Sequence, residues 1–295
     1  MNIGIIGHRG FIGSNLTIML GNLGYSIFPV SLREPTVYDN WNIALKSIPV
    51  KLDYVIHAAG KADVSASFSD PENDFQNNTK LVFDIIDALR KSHHKSAGFI
   101  FLSSAAVYGN PVLLPVAASA LTNPISPYGF HKATAELLVK SFCRCFGMRG
   151  ISLRIFSAYG EGNRKQVLWE LCKKCIHPAD HYLMVEGTGE ETRDFIHLSD
   201  IAEQIILLIQ NARFEGEAYN IGNGIEISIK QVASLIADEM NMLGVKYSQT
   251  SRKGYPTKWK ADISFMEMLG YHQKIFINDG IKAYCNWFKE IRENV

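Results

Sequence analysis

The stretch that decides the fold is GIIGHRGFIGSNL, residues 4–16, in which three glycines follow a short run of apolar residues. Glycines at this spacing, between a first strand and a first helix, let the backbone approach a ligand closely, and the N-terminus of the helix attracts a phosphate. The stretch therefore predicts a dinucleotide-binding turn formed by Gly7, Gly10, Phe11, Ile12 and Gly13.

The pattern of apolar residues beyond this turn predicts an α/β fold. Over the first 160 residues, β-rich runs alternate with helical periods; we expect strands over 2–6, 25–30, 53–59, 98–104 and 151–156, and helices over 11–24, 78–92 and 126–147. Such alternation predicts a Rossmann-type doubly wound parallel sheet with its ligand at the carboxyl ends of the strands. We expect a dinucleotide-binding domain over 1–160 plus about 194–224, with a strand over 217–222 returning to the sheet, and a smaller C-terminal substrate lobe over 161–193 and 225–295.

Charge and apolar content exclude two classes of partner. The chain has 30 Lys and Arg against 29 Asp and Glu and no run of like charge, so binding to nucleic acid or to a membrane surface has no electrostatic support. No apolar stretch approaches the roughly 20 residues that span a bilayer. The glycine turn comes too early to leave space for a signal peptide before it. We therefore expect a cytoplasmic protein.

A CxxC motif raises the question of a metal site. Cys172 and Cys175 are followed by His177 and His181, and this set of residue types can bind zinc. However, the helical apolar spacing of residues 166–175 favours thiols that face a core. The five cysteines are also irregularly spaced, unlike a disulfide framework. We therefore predict reduced cysteines and no metal.

The end of the second predicted strand, PVSLRE at residues 29–34, indicates which dinucleotide binds. An NAD site usually has an acidic residue about 20 residues beyond the glycines, whereas an NADP site has small residues and arginine there. Ser31 and Arg33 occupy this place and Arg9 lies in the glycine turn, so a hydroxyl and two guanidiniums would hold a 2′-phosphate. Glu34 leaves NAD open, because a shift of one or two residues would bring its carboxylate to the ribose. We favour NADP(H) over NAD(H).

A serine, a tyrosine and a lysine form a candidate catalytic group. Tyr128 and Lys132 are four residues apart in SPYGFHKATAELL, residues 126–138, and therefore share one face of a predicted helix. Ser104 ends the predicted strand before that helix. An ammonium beside a phenol favours the phenolate, so we expect Lys132 to lower the pKa of Tyr128 enough for proton exchange near neutral pH.

The glycine turn, the strand-end serine in SSAAVYG (residues 103–109) and the YxxxK pair together resemble the extended short-chain dehydrogenases/reductases over nearly the whole chain. This family contains nucleotide-sugar epimerases, dehydratases and 4-keto reductases, and its members commonly form homodimers. The resemblance implies that Tyr128 exchanges a proton with a sugar hydroxyl while hydride passes between that carbon and the nicotinamide. It implies that Ser104 hydrogen-bonds the same oxygen and that Lys132 also holds the nicotinamide ribose. Further cofactor contacts are implied for Ala58, Ala59, Gly60 and Asn78.

The same resemblance implies contacts with a nucleotide-diphosphate sugar. Arg193, in GTGEETRDFIHLSDIA, and Arg252, in SRKGYPTKWKAD, match arginines that bind the diphosphate. We assign Lys61 and Ser104 to the substrate side as well. Ser157 also belongs to this group, but family members often have asparagine in its place, so its contact with the diphosphate is weakly supported.

The residues after the catalytic serine indicate the reaction. Family dehydratases carry an acidic pair there, because loss of a hydroxyl needs its own acid and base. Ala105 and Ala106 stand at these positions, which disfavours dehydration. A 4-keto reductase that consumes NADPH and a 4-epimerase that keeps its cofactor bound both remain, and we favour reduction of a 4-keto-6-deoxy sugar nucleotide. A non-catalytic dinucleotide sensor shares the fold but typically lacks the tyrosine and the lysine.

Replacement of Arg33 by alanine tests the choice of cofactor. Loss of a charge-assisted contact with a 2′-phosphate costs about 1.5–3 kcal/mol, so the affinity for NADPH should fall at least about tenfold while that for NADH stays almost unchanged. Titrations followed by nicotinamide fluorescence measure both affinities. If the unaltered protein binds NADH more tightly than NADPH, Glu34 becomes the ribose ligand instead.

Overall fold

The computed structural model describes residues 1–31, 41–176, 180–250 and 254–292. Its strands are β1 (Asn2–Ile6), β2 (Ser26–Val30), β3 (Tyr54–His57), β4 (Gly98–Ser104), β5 (Gly150–Ile155), β6 (Ser157–Tyr159), β7 (Tyr182–Val185), β8 (Thr192–Arg193), β9 (Phe195–His197), β10 (Glu215–Ile221), β11 (Ile227–Ser228) and β12 (Gly244–Tyr247). Its α-helices are α1 (Phe11–Asn22), α2 (Trp41–Lys46), α3 (Val64–Ser69), α4 (Pro71–Phe75), α5 (Leu81–Lys91), α6 (Pro127–Phe146), α7 (Gln166–Lys174), α8 (Leu198–Asn211), α9 (Ile229–Glu239), α10 (Ser264–Met268) and α11 (Ile277–Ile291). The described residues also include a π-helix, Gln76–Lys80, and a 3₁₀ helix, Ala105–Tyr108.

Six strands form the central sheet in the order β10-β5-β4-β3-β1-β2. The pairs from β5 through to β2 are parallel. The order reverses between β1 and β3, and a doubly wound sheet opens its ligand crevice at such a switch point, at the carboxyl ends of the strands. The predicted α/β fold class is confirmed, and so is the returning strand, which is β10.

Contacts divide the chain into two compact units. The first consists of Met1–Gly109, Ala118–Ile155 and Ile206–Asn220, and the second of Asn110–Ala117, Phe156–Ile205 and the residues from Ile221 onward. The domain bounds drawn from the sequence stay a prediction; this contact-based division groups residues 156–160 and 194–205 with the second unit.

The first unit buries apolar side chains between the sheet and its helices. The strands carry near-continuous apolar runs, as expected for strands covered on both faces. Phe99 and Phe101 of β4 are fully buried and belong to one apolar cluster with Ile85 of α5 and Val139 of α6. This packing fixes the positions of the strand ends, where the candidate site lies.

The second unit has a separate apolar core. Its described residues form three two-stranded sheets, β6-β9, β7-β12 and β8-β11. Cys172 of α7 and Cys175, which follows that helix, are buried in this core with Cys285, and the Sγ atoms of Cys172 and Cys285 are 3.9 Å apart. The prediction that the two CxxC thiols face a core is confirmed.

Candidate active site

The glycine turn between β1 and α1 leaves no space for side chains at two of its positions. Gly7 has a φ of +85°, and a Cβ on it would lie 2.5 Å from the backbone nitrogen of Ala59. A Cβ on Gly13 would lie 2.2 Å from the carbonyl oxygen of Gly7. Gly10 precedes the first turn of α1 and brings no side chain to cap it. The N-terminal amides of this 12-residue helix therefore lie at the carboxyl end of β1, as a phosphate site requires.

The register of β1 and β2 places Ser31 at the same sheet edge as the glycine turn. The last paired residues of the two parallel strands are followed directly by Gly7 and Ser31. Arg9 and Ser31 are both exposed to solvent. The other residues assigned to cofactor choice, Arg33 and Glu34, lie outside the described residues.

Ser104, Tyr128 and Lys132 meet in the first unit. Helix α6 begins as its sequence predicts, with Ser126 capping the first turn and Pro127 at the first helical position. One turn separates Tyr128 from Lys132, and the Lys132 Nζ lies 5.9 Å from the centre of the Tyr128 ring. Ser104, at the end of β4, is hydrogen-bonded to the Tyr128 side chain. A phenol, a hydroxyl and an ammonium thus lie close together.

Burial decides the protonation states of this group. Burial raises the pKa of Tyr128 to about 12; the hydrogen bond with Ser104 lowers it and the charge of Asp74 raises it. Burial lowers the pKa of Lys132 to about 8, although the charges of the Asp74 and Glu136 carboxylates act in the opposite direction. The expectation that Lys132 depresses the pKa of Tyr128 is wrong for this structure, because desolvation of the phenolate dominates. Tyr128 therefore keeps its proton at neutral pH.

The side chain of Asn78 is held close to Gly60 and Lys132. Asn78 lies in the π-helix Gln76–Lys80, is 1% exposed, and donates from Nδ2 to the carbonyl oxygen of Lys61 at 2.9 Å. Its Oδ1 is buried and has no hydrogen-bond partner. A Cβ on Gly60 would lie 2.9 Å from this Oδ1 and 3.7 Å from the Nζ of Lys132. Three residues assigned to the cofactor therefore converge on one point.

These features fit a dinucleotide. A buried acceptor without a donor costs about 1–3 kcal/mol, and a ribose hydroxyl or an amide of the cofactor would relieve that cost at Asn78. The glycine turn offers backbone amides for a pyrophosphate, and side chains are excluded where the backbone must come close. Ala58 and Ala59 follow β3 beside this turn and are only partly buried. The residues that would hold the group are Gly7 to Gly13, Ala58 to Gly60, Asn78 and Lys132.

A buried ion pair that the sequence analysis missed anchors the helix that carries Tyr128 and Lys132. The Nη2 of Arg154, on β5, lies 2.8 Å from Oε2 of Glu136, on α6, and both side chains are 9% exposed. Ser103 donates to Glu136 at 2.6 Å, and Arg154 donates to the Tyr108 hydroxyl at 2.9 Å. The sequence offers one signal for Glu136: it follows Lys132 by four residues and therefore lies on the same face of the helix.

The residues assigned to the substrate are divided between the two units. Lys61 lies in the first unit and is exposed. Ser157 and Arg193 lie in the second unit, where the Arg193 guanidinium is 5.4 Å from the centre of the Trp259 ring. Burial lowers the pKa of Arg193 to about 10, so this cation is partly stripped of water. Arg252 lies outside the described residues.

The described part of the chain has neither a metal-binding cluster nor a membrane-spanning helix. Within it, no group of three or more His, Cys, Asp and Glu side chains is arranged to hold a metal ion. His181 is exposed, and His177 is not among the described residues. No described helix is both long enough and apolar enough to cross a membrane.

Comparison with known proteins gives a consistent set of relatives. The family model described as NAD dependent epimerase/dehydratase matches residues 3–222. A GDP-6-deoxy-D-mannose reductase of Pseudomonas aeruginosa is 25% identical, with 98% of each chain covered. The structure of UDP-glucuronic acid 4-epimerase from Bacillus cereus, in complex with UDP-glucuronic acid and NAD, is 25% identical with a TM-score of 0.83, covering 99% of this chain and 100% of that one. RMD from Pseudomonas aeruginosa, solved with NADPH, shares the fold with a TM-score of 0.86 at 22% identity, covering 98% of this chain and 99% of that one.

Alanine at Gly13 should disrupt the dinucleotide site. Its Cβ would overlap the Gly7 carbonyl oxygen, so the turn and its amides must shift, and NADPH affinity should fall at least about tenfold. Gly21, on the same helix, is the matched control because a Cβ there meets nothing within 4 Å. Gly21→Ala should leave affinity unchanged and stabilise the protein by roughly 0.5–1 kcal/mol. Fluorescence titration and urea unfolding measure the two effects, and equal affinities of the two variants would contradict the assignment.

Proposed function

The chain belongs to the NAD dependent epimerase/dehydratase family, and we propose that it is an NADP(H)-dependent oxidoreductase that acts at C4 of a nucleotide-activated hexose and reduces a 4-keto-6-deoxy sugar nucleotide. The observation that carries this proposal is the presence of Arg9 and Ser31 at the sheet edge beside the glycine turn. An arginine and a hydroxyl at that edge suit a 2′-phosphate. A reductase releases oxidised cofactor at every turnover and therefore benefits from binding NADPH, the cellular reductant.

The catalytic roles follow from the protonation states. NADPH, when bound, supplies the hydride that adds to the carbonyl carbon. Tyr128 is the acid, because burial keeps its proton in place at neutral pH, and it gives that proton to the oxygen that becomes the hydroxyl. Ser104 hydrogen-bonds the same oxygen. The Lys132 ammonium stabilises the phenolate that remains on Tyr128 until the proton is replaced.

The substrate side supports a nucleotide-diphosphate sugar. Arg193 is a partly desolvated cation, and such a group binds an anion more strongly than a solvated one does. We assign it, with Arg252, to the diphosphate, and Ser157 and Lys61 to supporting contacts. The relatives are consistent with this class, since one is named a GDP-6-deoxy-D-mannose reductase and another was solved with UDP-glucuronic acid.

A 4-epimerase is the second candidate, favoured by the likeness to UDP-glucuronic acid 4-epimerase solved with NAD. Ser104, Tyr128 and Lys132 can serve both reactions, because an epimerase removes a hydride and returns it to the opposite face. The two candidates differ in whether the cofactor leaves. That difference defines the experiment.

Turnover with free NADPH distinguishes the two reactions. We expect purified protein to carry little bound dinucleotide and to oxidise NADPH one for one when a nucleotide 4-keto-6-deoxyhexose is added, followed at 340 nm. Tightly bound cofactor, together with interconversion of two 4-epimeric nucleotide sugars without added NADPH, would overturn the reductase and establish the epimerase.

Two variants test the residue roles in the same assay. Tyr128→Phe removes only the proton donor, so turnover should fall at least about a hundredfold with nearly unchanged NADPH affinity. More than about a tenth of the wild-type rate in this variant would remove Tyr128 from the acid role.

Arg193→Ala should raise the KM for the sugar nucleotide with a smaller change in kcat, because a contact far from the reacting carbon is made equally in ground and transition states. An unchanged KM in Arg193→Ala would remove Arg193 from the diphosphate site.

We also propose a homodimer in the cytoplasm. The large apolar side chains that helices α5 and α6 expose include Phe83 at 44%, Phe130 at 55% and Leu137 at 65%, which a second copy would cover. The five cysteines are free thiols, as is typical of proteins from a reducing compartment. Sedimentation equilibrium should give twice the chain mass of 33.0 kDa, and Leu137→Lys should shift it toward the monomer. A wild-type monomer at micromolar concentration would refute the dimer.

A further inference from the structure

A buried carboxylate links the cofactor side of the first unit to a histidine. Asp74, at the end of α4, is 4% exposed. Its Oδ1 accepts a hydrogen bond from Nδ2 of Asn78 at 2.9 Å, and its Oδ2 lies 2.6 Å from Nδ1 of His131. A carboxylate can only accept, so Nδ1 of His131 carries the proton and donates it to Asp74. The backbone of His131 is also held in place, because its carbonyl oxygen accepts a hydrogen bond from the Thr79 hydroxyl at 2.9 Å.

This arrangement fixes the orientation of the Asn78 amide. Two acceptors, the Asp74 carboxylate and the carbonyl oxygen of Lys61, bind its Nδ2. The amide is therefore held with Oδ1 on the side of Gly60, where that oxygen has no protein partner. Without Asp74, only the carbonyl oxygen of Lys61 would favour this orientation of the Asn78 amide over the flipped one.

We propose that Asp74, braced by His131, is a positioning residue for the dinucleotide site: it orients the amide of Asn78 toward the cofactor and serves as the buried counter-ion of Lys132. The inference concerns the same site as the proposed function and rests on a dinucleotide binding there. It adds two residues, Asp74 and His131, to which neither the YxxxK pair nor the glycine turn points. They act through Asn78 and Lys132 and do not touch the reacting atoms.

The charges around Lys132 single out Asp74. Four elements bring groups to Lys132: His57 from β3, Asp74 from α4, Tyr128 and Glu136 from α6, and the carbonyl oxygen of Leu102 from β4, to which Nζ donates at 3.0 Å. Burial, with a smaller contribution from Lys132, lowers the pKa of His57 to about 3, so His57 is neutral at working pH. Glu136 is engaged by Arg154. Asp74 is bonded to the Asn78 amide, whose Oδ1 approaches Gly60 as the Nζ of Lys132 does, and the charge of Asp74 raises the pKa of Lys132.

The sign of the pH effect follows from the reductive step. That step needs a proton on Tyr128 and a proton on Lys132, and the charge of Asp74 raises the pKa of both groups. Because the pKa of Lys132 is about 8, the reductive rate should fall as pH rises through that value. Removal of the Asp74 charge lowers both pKa values, so the basic limb of the rate profile should move to lower pH.

Two substitutions at Asp74 separate its charge from its geometry. In Asp74→Asn, the amide oxygen still accepts from Asn78 and the amide nitrogen can donate to the other tautomer of His131, so only the charge is lost. In Asp74→Ala, the acceptor is lost as well and Asn78 can turn over. Asp180→Asn removes the same charge from a surface ion pair with Lys246 in the second unit and serves as control.

The decisive measurement is the titration of Lys132, followed by NMR of protein whose lysines are labelled with carbon-13 at Cε. The resonance of Lys132 is identified as the one that disappears in Lys132→Arg. Asp74→Asn should lower the midpoint by about 0.5–1 pH unit relative to wild type, with NADPH affinity kept within about twofold. Asp74→Ala should show the same displacement and bind both NADPH and NADH at least about fivefold more weakly. Asp180→Asn should match wild type in both measurements.

An unchanged midpoint in Asp74→Asn overturns the proposal, and so does an unchanged dinucleotide affinity in Asp74→Ala. A thermal melt of each variant, compared with that of Asp180→Asn, shows that the effects come from folded protein. Neither measurement needs a substrate. A protein that fails to reduce any sugar nucleotide would therefore refute the proposed function while Lys132 still reports on Asp74, and the two failures are distinguishable.

Discussion

The ion pair between Glu136 and Arg154 is the constraint on which the geometry of the site depends. It is buried, so both ions lose hydration, and such a pair stabilises a fold only when further hydrogen bonds satisfy its remaining donors and acceptors. Here Ser103 supplies one of them to Glu136. Glu136 follows Lys132 by one helical turn, and Ser103 precedes Ser104 in β4. The pair therefore fixes the rotation of α6 against the end of the strand, and with it the approach of tyrosine, lysine and serine to one point.

The parts of the structure that were predictable from the sequence are those set by local periodicity. Short apolar runs gave the six sheet strands to within one or two residues, and the glycine turn identified the switch point because only glycine tolerates the backbone contact at Gly7. Ser126 and Pro127 likewise marked the start of α6. The π-helix around Asn78 carries no such signature. Two of its residues bond to residues distant in sequence, Asn78 to Lys61 and Thr79 to His131, and periodicity cannot show those bonds.

The protonation state of Tyr128 shows the limit of that reasoning in chemical terms. The spacing of Tyr128 and Lys132 establishes that a cation is near the phenol, which argues for a lowered pKa. Spacing says nothing of desolvation, and desolvation is the largest effect on both groups. Desolvation raises the pKa of the Tyr128 phenol, which keeps its proton, and lowers the pKa of the Lys132 ammonium, which loses its proton more easily. The buried charges of Asp74 and Glu136 are what preserve the ammonium near neutral pH.

In the proposed function, the choice of reaction and the chemical step depend on different parts of the first unit. The proposed roles of Tyr128, Lys132 and Ser104 concern a proton at one oxygen, and they are the same whether the hydride comes from a fresh cofactor or from one that stays bound. Arg9 and Ser31 lie exposed at the edge of the sheet beside the glycine turn, and their proposed role is to decide which dinucleotide binds and how readily it leaves. One catalytic group can therefore serve both reductases and epimerases on this fold. The difference between them must be sought in the residues that hold the adenosine end of the cofactor.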